Sequence, residues 1–233
     1  MLGLIGAMEA EIAGIRAALS DVTEMRYAGL TFYQGSYEGQ PCVVVRAGVG
    51  KVNAALCTQA LIDHFPVTAI INTGIAGGLD ERLRIGDLVL CTDAVEHDVD
   101  AEAFGYKPGQ IPQLDVFSFT ASAALRELAM EVAKEKLPAL HCLAGRVLTG
   151  DQFISSHAKK EALIQTFHGA CCEMEGAAIA HVCHLNRVPF LIVRAISDNA
   201  NDDAESDYPT FEKHAIAHSV TLTLGMLAKS QSA

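Results

Sequence analysis

Hydrophobic and polar positions alternate along this chain with two periods, one typical of buried strands and the other typical of helices. Leu2 to Gly6 is an unbroken apolar run that is too short for a helix and typical of a buried strand. From Glu9 onward, Ile12 and Ile15 recur at the spacing of one helix face. The pattern therefore predicts a first strand that is followed almost at once by a helix.

The same two periods continue through the rest of the chain. Further strands are predicted at Thr31 to Tyr37, Pro41 to Arg46, Ala69 to Asn72, Ile85 to Cys91, Cys142 to Leu148 and Phe190 to Ile196. Further helices are predicted at Lys51 to His64, Ala121 to Lys136, His157 to Phe167, Gly176 to Asn186 and Pro209 to Lys229. Because strands alternate with helices, we expect an α/β fold made of a single domain over residues 1–233. Its central sheet is expected to be mixed, mostly parallel and twisted, with helices on both faces.

Glycine segments and long polar segments separate these elements. Glu38-Gly39-Gln40 lies between two strands and predicts a hairpin. Gly48-Val49-Gly50 and Gly74 to Gly78 predict tight turns whose free amides lie near a ligand. Thr92 to Ser118 shows no sustained period, and a polar loop is predicted after Asn199, continuing to Asp207. Loops of this length in a compact domain are usually functional or lie at an interface.

Acidic residues stand at the ends of several predicted strands. Glu173 and Glu175 interrupt the stretch from Ala170 to Ala180, which is otherwise apolar, and Glu11 and Asp198 follow two other strands. In sheets of this kind ligands bind beyond the carboxyl ends of the strands, so we expect these acids to share one cleft. The alternatives are a first-turn helix acid at Glu11, a cap or turn at Asp198, and structural ion pairing at Glu173 and Glu175.

Composition and charge narrow the possible partners. The chain has 17 Lys and Arg residues against 28 Asp and Glu residues, a formal net charge of -11, so neither nucleic acid nor an anionic membrane is an expected partner. No apolar run approaches the roughly 18 residues of a membrane span, and the N-terminus is expected to form a strand and not a signal peptide. Seven cysteines without a CxxC pair favour reduced thiols and a cytoplasmic location.

The histidine patterns give only weak support for a metal site. His181 and His184 lie three positions apart on a predicted helix without a further ligand, and His214 and His218 lack the glutamate of an HExxH motif. His97 precedes two nearby acids, but a hard cation there is disfavoured. The glycine segments match neither a P-loop nor GxGxxG. We therefore expect neither a metal nor a cofactor.

Seven motifs in a fixed order resemble those of a known family. They are GAMEAE, GVGKV, NTGIAGG, AFGYKPGQIP, GDQFI, EMEGAAIAHV and VRAISDNA, and the match extends from Gly6 to Phe211. In this order they resemble the motifs of bacterial 5'-methylthioadenosine/S-adenosylhomocysteine nucleosidases, which have the nucleoside phosphorylase-like fold. The resemblance implies a small-molecule nucleoside substrate whose N-glycosidic bond is hydrolysed, with release of adenine and a 5'-thioribose.

The resemblance also implies a role for each motif. Glu11 matches the base that activates water, Asp198 the acid that protonates adenine N7, and Glu175 the residue that holds the ribose hydroxyls. Ser197 and Arg194 are expected to support the acid and the water site. Substrate-binding positions are expected at Met8, Val49, Ile75, Phe153, Ile154, Met174 and Tyr208. These residue types suit the reaction, because adenine leaves badly as an anion and water is a weak nucleophile.

Within this set the expected contacts differ from residue to residue. Phe153 is expected to stack on adenine, with backbone contacts from Ile154 beside it, and Met174 to pack against the sugar. Met8, Val49 and Tyr208 are expected to line the pocket of the 5'-alkylthio group. Ile75 stands where the nucleosidases often have a hydroxyl residue near the water.

Phe104, Tyr106 and Pro112 resemble residues that reach into the pocket of a neighbouring subunit, which implies a homodimer. Related phosphorylases carry an arginine for phosphate at the first strand-to-helix junction, whereas this chain has Glu9 and Glu11 there, so hydrolysis is expected instead of phosphorolysis. The alternatives are a nucleosidase of the same fold that acts on aminodeoxyfutalosine and a non-catalytic purine nucleoside sensor. A sensor is expected to lack the acid or the base, and this chain has both.

Overall fold

The computed structural model describes residues 1–230. Its strands are β1 (Leu2–Gly6), β2 (Ser20–Tyr27), β3 (Leu30–Tyr37), β4 (Gln40–Arg46), β5 (Ala69–Gly78), β6 (Leu88–Glu96), β7 (Phe119–Thr120), β8 (Cys142–Thr149), β9 (Cys171–Glu173) and β10 (Phe190–Asp198). Its α-helices are α1 (Glu9–Ala18), α2 (Lys51–His64), α3 (Ala123–Lys136), α4 (His157–Phe167), α5 (Gly176–Asn186) and α6 (Ala204–Lys229). A short 3-10 helix covers Glu102–Phe104. Within the described residues, no helix is both long and apolar enough to cross a membrane.

The strands form one mixed sheet. Strands β4, β1, β5 and β10 lie side by side and parallel. Beyond them β10 pairs antiparallel with β6, β6 pairs parallel with β8, β8 pairs parallel with β9, and β9 returns antiparallel to β5. These last pairings close a ring of five strands. The predicted α/β fold class with a mixed sheet and flanking helices is confirmed.

The core lies around the central strands. Every residue of β1, β5 and β10 is buried, as expected for strands covered on both faces. Helices α1, α3 and α6 pack together as one group, and α2 packs against α5 as another. The carboxyl ends of the buried strands are therefore held in fixed positions, and the polar residues at those ends are held with them.

The turn predicted at Gly74 to Gly78 is wrong, because β5 continues as a strand to Gly78. A β-carbon added at Gly74 would lie 2.5 Å from Glu11 Oε1, and one added at Gly77 would lie 2.9 Å from Asp198 Oδ1. The glycines therefore allow two carboxylates to approach the strand closely. The other glycine segment forms the predicted turn, with positive φ at Gly48 and Gly50 just before α2.

Three further boundaries differ from the prediction at sites near the cleft. Strand β6 begins at Leu88 and continues to Glu96, so it includes the start of the segment predicted as a loop. Strand β10 continues through Asp198. Helix α6 begins at Ala204, with Pro209 inside it, although the sequence predicted a loop to Asp207. Proline is common in the first helical turn, and this preference placed the predicted start too late.

Strand β2 was not predicted at all. It pairs antiparallel with β3, and most of its residues are exposed. An exposed strand buries too little apolar surface to produce a clear alternation in the sequence. The hairpin between Thr31 and Arg46, in contrast, is confirmed as β3 and β4.

Candidate active site

A cavity of about 400 Å³ lies beyond the carboxyl ends of β1, β5, β9 and β10. Five carboxylate side chains line it: Glu11, Glu173, Glu175, Asp198 and Glu205. Within residues 1–230, no lysine, arginine or histidine is part of this lining. The expectation that strand-end acids share one cleft is confirmed, and the side chains that line the cleft in the described residues include carboxylates but no cation.

Glu11 lies in the first turn of α1 and is held by backbone amides. Its Oε2 accepts hydrogen bonds from the amides of Ala7 at 2.7 Å and Met8 at 2.9 Å, and its Oε1 accepts one from Ile75 at 3.2 Å. Burial raises the pKa of Glu11, and the positive charge of Arg194 opposes this rise, as do the amides. Glu11 thus caps the helix, as the structural alternative proposed, while its carboxylate also faces the cavity.

Asp198 is the last residue of β10 and has two local hydrogen-bond donors. Its Oδ2 accepts from Ser197 Oγ at 2.8 Å, and its Oδ1 accepts from the amide of Ala200 at 2.8 Å. Burial raises the pKa of Asp198, while these two hydrogen bonds oppose the rise. An aspartate whose pKa is raised holds its proton at a higher pH than usual, as a general acid requires.

Glu175 precedes helix α5 and faces the glycine turn. Its Oε1 accepts a hydrogen bond from the amide of Gly50 at 2.8 Å. Burial, followed by the negative charge of Glu173, raises the pKa of Glu175 to about 8. Strand β9 ends at Glu173, so the chain bends between the two glutamates as expected, and Met174 and Glu175 both line the cavity.

Glu173 has a different environment from Glu175. It forms an ion pair with Arg194, accepts a hydrogen bond from Thr149 Oγ1 and accepts another from the amide of Gly176 at 2.8 Å. The structural ion pairing weighed for this position is confirmed for Glu173, and its carboxylate anchors the start of α5. A buried carboxylate needs such partners, because removing its charge from water is costly.

Arg194 lies behind the cavity and does not line it. Its guanidinium is buried and donates to Asn72 Oδ1 at 2.5 Å in addition to pairing with Glu173. It has no hydrogen bond to Asp198 among those of the described residues, and it affects Glu11 through its charge. Arg194 is therefore the ion-pair partner of Glu173, and its charge influences the pKa of Glu11.

Most of the expected substrate-binding side chains meet in the cavity. The lining includes Met8, Val49, Ile75, Phe153, Met174 and Tyr208. The rings of Phe153 and Tyr208 meet edge to face with centroids 5.8 Å apart. The side chain of Ile154 is buried in a small apolar cluster outside the lining, so its expected backbone contact with a ligand stays a prediction.

Phe104, Tyr106 and Pro112 lie on the segment after β6 and outside the cavity of their own chain. Phe104 is 84% exposed, which is unusual for a phenylalanine. Further exposed apolar residues are Val52 and Leu56 on α2 and Leu185 on α5. The molecule therefore presents several large apolar side chains to its surroundings.

The sequence did not indicate Cys172, Glu205 or Pro209 as part of the cavity. Glu205 and Pro209 were missed because helix α6 was predicted to begin too late. Glu205 lies three positions before Tyr208, and this helical spacing is the signal that could have placed both on one face. Cys172 belongs to the short strand β9, where the sequence pattern indicated only the neighbouring acids as candidate site residues.

Two of the histidines weighed as metal ligands, His181 and His218, have other partners. His181 Nδ1 lies 3.2 Å from Glu96 Oε1, and its ring stacks on Phe119. His218 Nδ1 lies 2.9 Å from the carbonyl oxygen of Gly86. The described part of the chain contains no group of three side chains arranged to hold a metal ion.

The fold and the cavity define an α/β protein with an acid-lined cleft at the carboxyl ends of its central strands. A family model described as the phosphorylase superfamily matches residues 1–229. A 5'-methylthioadenosine/S-adenosylhomocysteine nucleosidase from Shewanella sp. (strain W3-18-1) is 41% identical over 227 residues, which cover 97% of this chain and 97% of that protein.

Solved structures of related enzymes have the same fold as this chain. A 5'-methylthioadenosine/S-adenosylhomocysteine nucleosidase from Neisseria meningitidis, in complex with methylthio-immucillin-A, has a TM-score of 0.94 at 36% identity and covers 97% of this chain and 98% of that chain. A futalosine hydrolase of Helicobacter pylori has a TM-score of 0.91 at 34% identity and covers 97% and 96%. The chain belongs to the phosphorylase superfamily and, within it, to the 5'-methylthioadenosine/S-adenosylhomocysteine nucleosidases.

Proposed function

We propose that this protein is an N-ribosyl hydrolase that splits 5'-methylthioadenosine and S-adenosylhomocysteine into adenine and the 5'-thioribose. The observation that carries this proposal is the meeting of Glu11, Glu175 and Asp198 in one cavity of a chain whose relatives are named for this activity. The three carboxylates have separate backbone supports, so each is held in its own position.

In the proposed reaction Asp198 gives its proton to adenine N7 as the bond between ribose C1' and adenine N9 breaks. The electron pair of that bond leaves with adenine, which the proton keeps neutral, and positive charge develops on the ribose. Glu175 holds the ribose hydroxyls. The positive charge that develops on the ribose favours the ionised form of Glu175, and this carboxylate in turn stabilises that charge. Glu11 takes a proton from the water whose oxygen bonds to C1', so the atoms and charges balance.

The carboxylates of the cavity favour water over phosphate. A phosphate dianion is repelled by the ionised carboxylates of the cavity, and no cationic side chain lines the cavity to offset them in residues 1–230, whereas a neutral water molecule is not repelled. Arg16, the first basic residue after the β1–α1 junction, pairs with Glu9 at 2.8 Å and lies over the ring of Tyr33. It is therefore engaged away from the cavity.

The remaining lining residues suit an adenine nucleoside with an apolar 5' group. We propose that Phe153 stacks on adenine, with the backbone of Ile154 beside it, and that Met174 packs on the sugar. Met8, Val49 and Tyr208 are proposed to surround the thioether. Ser197 supports Asp198 through its hydroxyl hydrogen bond, and Arg194 supports Glu11 through its charge. Ile75 supplies its amide to Glu11 but no hydroxyl to the water.

We propose a homodimer in which the segment from Phe104 to Pro112, with Tyr106, completes the pocket of the partner. The exposed Phe104 and the apolar side chains Val52, Leu56 and Leu185 support this, because such residues usually mark an interface. Complementation tests it. Phe104→Ala and Asp198→Asn subunits are each expected to be impaired alone, whereas a mixture is expected to exceed their summed activity through mixed dimers with one intact pocket. A mixture that equals the sum, or a fully active monomer, would exclude this arrangement.

A futalosine hydrolase is almost as similar in fold as the nucleosidases, so substrate choice needs a direct test. Adenine release should be measured from 5'-methylthioadenosine, S-adenosylhomocysteine, 5'-deoxyadenosine and aminodeoxyfutalosine at equal concentrations. The two thioethers are expected to have the highest kcat/KM. A clear preference for aminodeoxyfutalosine would mean that hydrolysis of this nucleoside is the main activity. No turnover of any of the four substrates would favour a nucleoside sensor.

We further propose that residues 1–233 act as one nucleosidase domain in the cytoplasm without a cofactor. The family match over residues 1–229 supports a single domain. The free thiols of the seven cysteines support a reducing compartment. The acidic net charge of -11 argues against nucleic acid or an anionic membrane as a partner.

A further inference from the structure

Lys160, on helix α4, reaches the turn that carries Asp198. Its Nζ donates to the carbonyl oxygen of Asn199 at 2.7 Å and to that of Gly78 at 3.0 Å. Gly78 is the last residue of β5, and Asn199 follows the last residue of β10. One ammonium group therefore joins the ends of two parallel strands, and Asp198 is the last residue of one of them.

The Asn199 contact has a direct consequence for Asp198. The carbonyl that accepts from Lys160 and the amide of Ala200 belong to the same peptide group. That amide donates to Asp198 Oδ1 at 2.8 Å. Because a peptide group is planar, fixing its carbonyl toward Lys160 also fixes its N–H toward the carboxylate.

The orientation of this peptide group has to be held by contacts with other parts of the chain. Ala200 is fully buried and has a φ of 50°, a left-handed conformation that is unfavourable for a residue with a β-carbon. The turn also packs tightly, since a β-carbon at Gly77 would lie 2.9 Å from the Ala200 β-carbon. A rotation of the peptide group would relieve the left-handed conformation, but it would turn the N–H away from Asp198.

We propose that Lys160 is a positioning residue for the general acid, which locks the Asn199–Ala200 peptide group so that its N–H holds the Asp198 carboxyl in place. Lys160 acts from outside the catalytic cavity, because it lines a second cavity of about 620 Å³ on the α4 side. The inference rests on the proposed role of Asp198 in nucleoside hydrolysis.

Lys160 also acts on Asp198 through its charge. The groups that face or influence this carboxyl are Ser197 on β10, Asp207 and Tyr208 on α6, Cys172 on β9 and Lys160 on α4. Of these, Asp207 raises the pKa of Asp198, whereas Ser197 and Lys160 lower it. Loss of Lys160 removes a positive charge and releases the Ala200 amide, and both changes disfavour the ionised carboxylate.

The test compares Lys160→Met with Lys160→Arg, which keeps the charge and the donors, and with Lys159→Met. Lys159 is the matched control, because it is on the same helix but donates to the exposed Gln152 side chain at 3.1 Å. In Lys160→Met we expect kcat to fall roughly 10- to 100-fold with little change in KM, since misplacement of a catalytic group costs that much. The basic limb of the pH–rate profile is expected to move to higher pH. Lys160→Arg should recover most of kcat, and Lys159→Met should behave as wild type.

A second measurement does not depend on turnover. The Asp198 carboxyl can be titrated by carbon-13 NMR of the ligand-free protein, with its signal identified by loss in Asp198→Asn. Lys160→Met is expected to raise the pKa of Asp198. If Lys160→Met does not fold, Lys160→Gln replaces it, since this shorter neutral side chain cannot bridge both carbonyls.

Two outcomes separate this inference from the proposed function. A folded Lys160→Met variant with the wild-type kcat and the wild-type pKa of Asp198, or one changed only in thermal stability, would overturn the positioning role. A wild-type protein without nucleosidase activity would overturn the proposed function, while the NMR titration would still report whether Lys160 holds Asp198.

Discussion

At the scale of single residues, the cavity gives similar carboxylates different properties. Burial raises the pKa of Glu11, Glu175 and Asp198, but their partners differ. Glu11 faces amides and the Arg194 charge, which favour the ionised form of a base. Asp198 lies next to a hydroxyl and one amide and has no paired cation in the cavity lining described for residues 1–230. This difference in partners between Glu11 and Asp198 supports the proposed assignment of Glu11 as the base and Asp198 as the acid.

Replacement of Asp198 tests its proposed role as the general acid. Asp198→Asn keeps the size of the side chain but cannot deliver a proton, so we expect an unchanged fold and a kcat lower by about 10² to 10⁴. Steady-state adenine release and thermal unfolding measure the two effects. Asp21→Asn is a suitable control, because Asp21 is exposed and has a left-handed φ of 54° that asparagine also tolerates. Turnover of Asp198→Asn at the wild-type rate would remove Asp198 from the mechanism.

At the scale of elements, the end of strand β5 brings Glu11 and Asp198, the proposed base and acid, to one place. Its glycines leave room for Glu11 and Asp198, and β5 remains a strand to Gly78 although its pairing with β10 shifts register between Ile196 and Asp198. The sequence alone could not show this, since glycines in a run more often indicate a turn. The amide of Ile75 on this strand and the Glu11 carboxylate that accepts its hydrogen bond are more than 60 positions apart along the chain.

The glycine contacts lead to a prediction for β5. Gly74→Ala places a β-carbon 2.5 Å from Glu11 Oε1 and 3.3 Å from Arg194 Nη1, so the carboxylate has to move. We expect a roughly 10²-fold loss of kcat from this displacement and a loss of about 1 to 3 kcal/mol in the free energy of unfolding from overpacking.

Gly225→Ala on α6 is the control, because its β-carbon would lie 2.4 Å from Val132 Cγ1 and neither residue lines the cavity. Kinetics and denaturant unfolding of both variants give the comparison. An equal loss of kcat in the two variants would contradict a specific role for the space at Gly74.

The sequence predicted several elements well. Helices α4 and α5 have the predicted bounds, and β1 and the hairpin of β3 and β4 were also anticipated. The failures have physical causes: β2 is exposed, β5 contains glycines, and α6 contains a proline. For the site, the strand-end acids were predictable from their position, whereas Lys160 and Glu205 were not, because each approaches the site through tertiary packing.

At the scale of the whole molecule, the buried acids link stability to pH. Glu175 has a pKa of about 8 in the folded protein, against an ordinary value of 4.5. Between these values the folded state binds a proton that the unfolded chain has released, so the free energy of unfolding falls as pH rises. The raised pKa values of Glu11 and Asp198 act in the same direction.

We therefore expect the Tm of the ligand-free protein to fall as the pH rises from about 5 to about 8. Glu175→Gln stays neutral throughout, so its Tm should change less over this range. Thermal unfolding at a series of pH values measures the difference. Glu24→Gln, at an exposed position of β2, controls for the change in net charge. Equal slopes for wild type and Glu175→Gln would mean that Glu175 is not the group responsible.

The central claim is that an acid-lined cavity uses water and not phosphate to release adenine. The most direct measurement is mass spectrometry of the products from 5'-methylthioadenosine in water enriched in oxygen-18, with and without phosphate. We predict adenine and methylthioribose that carries one oxygen-18 at C1, at a rate that phosphate does not increase. A ribose 1-phosphate product, or turnover that requires phosphate, would contradict the account.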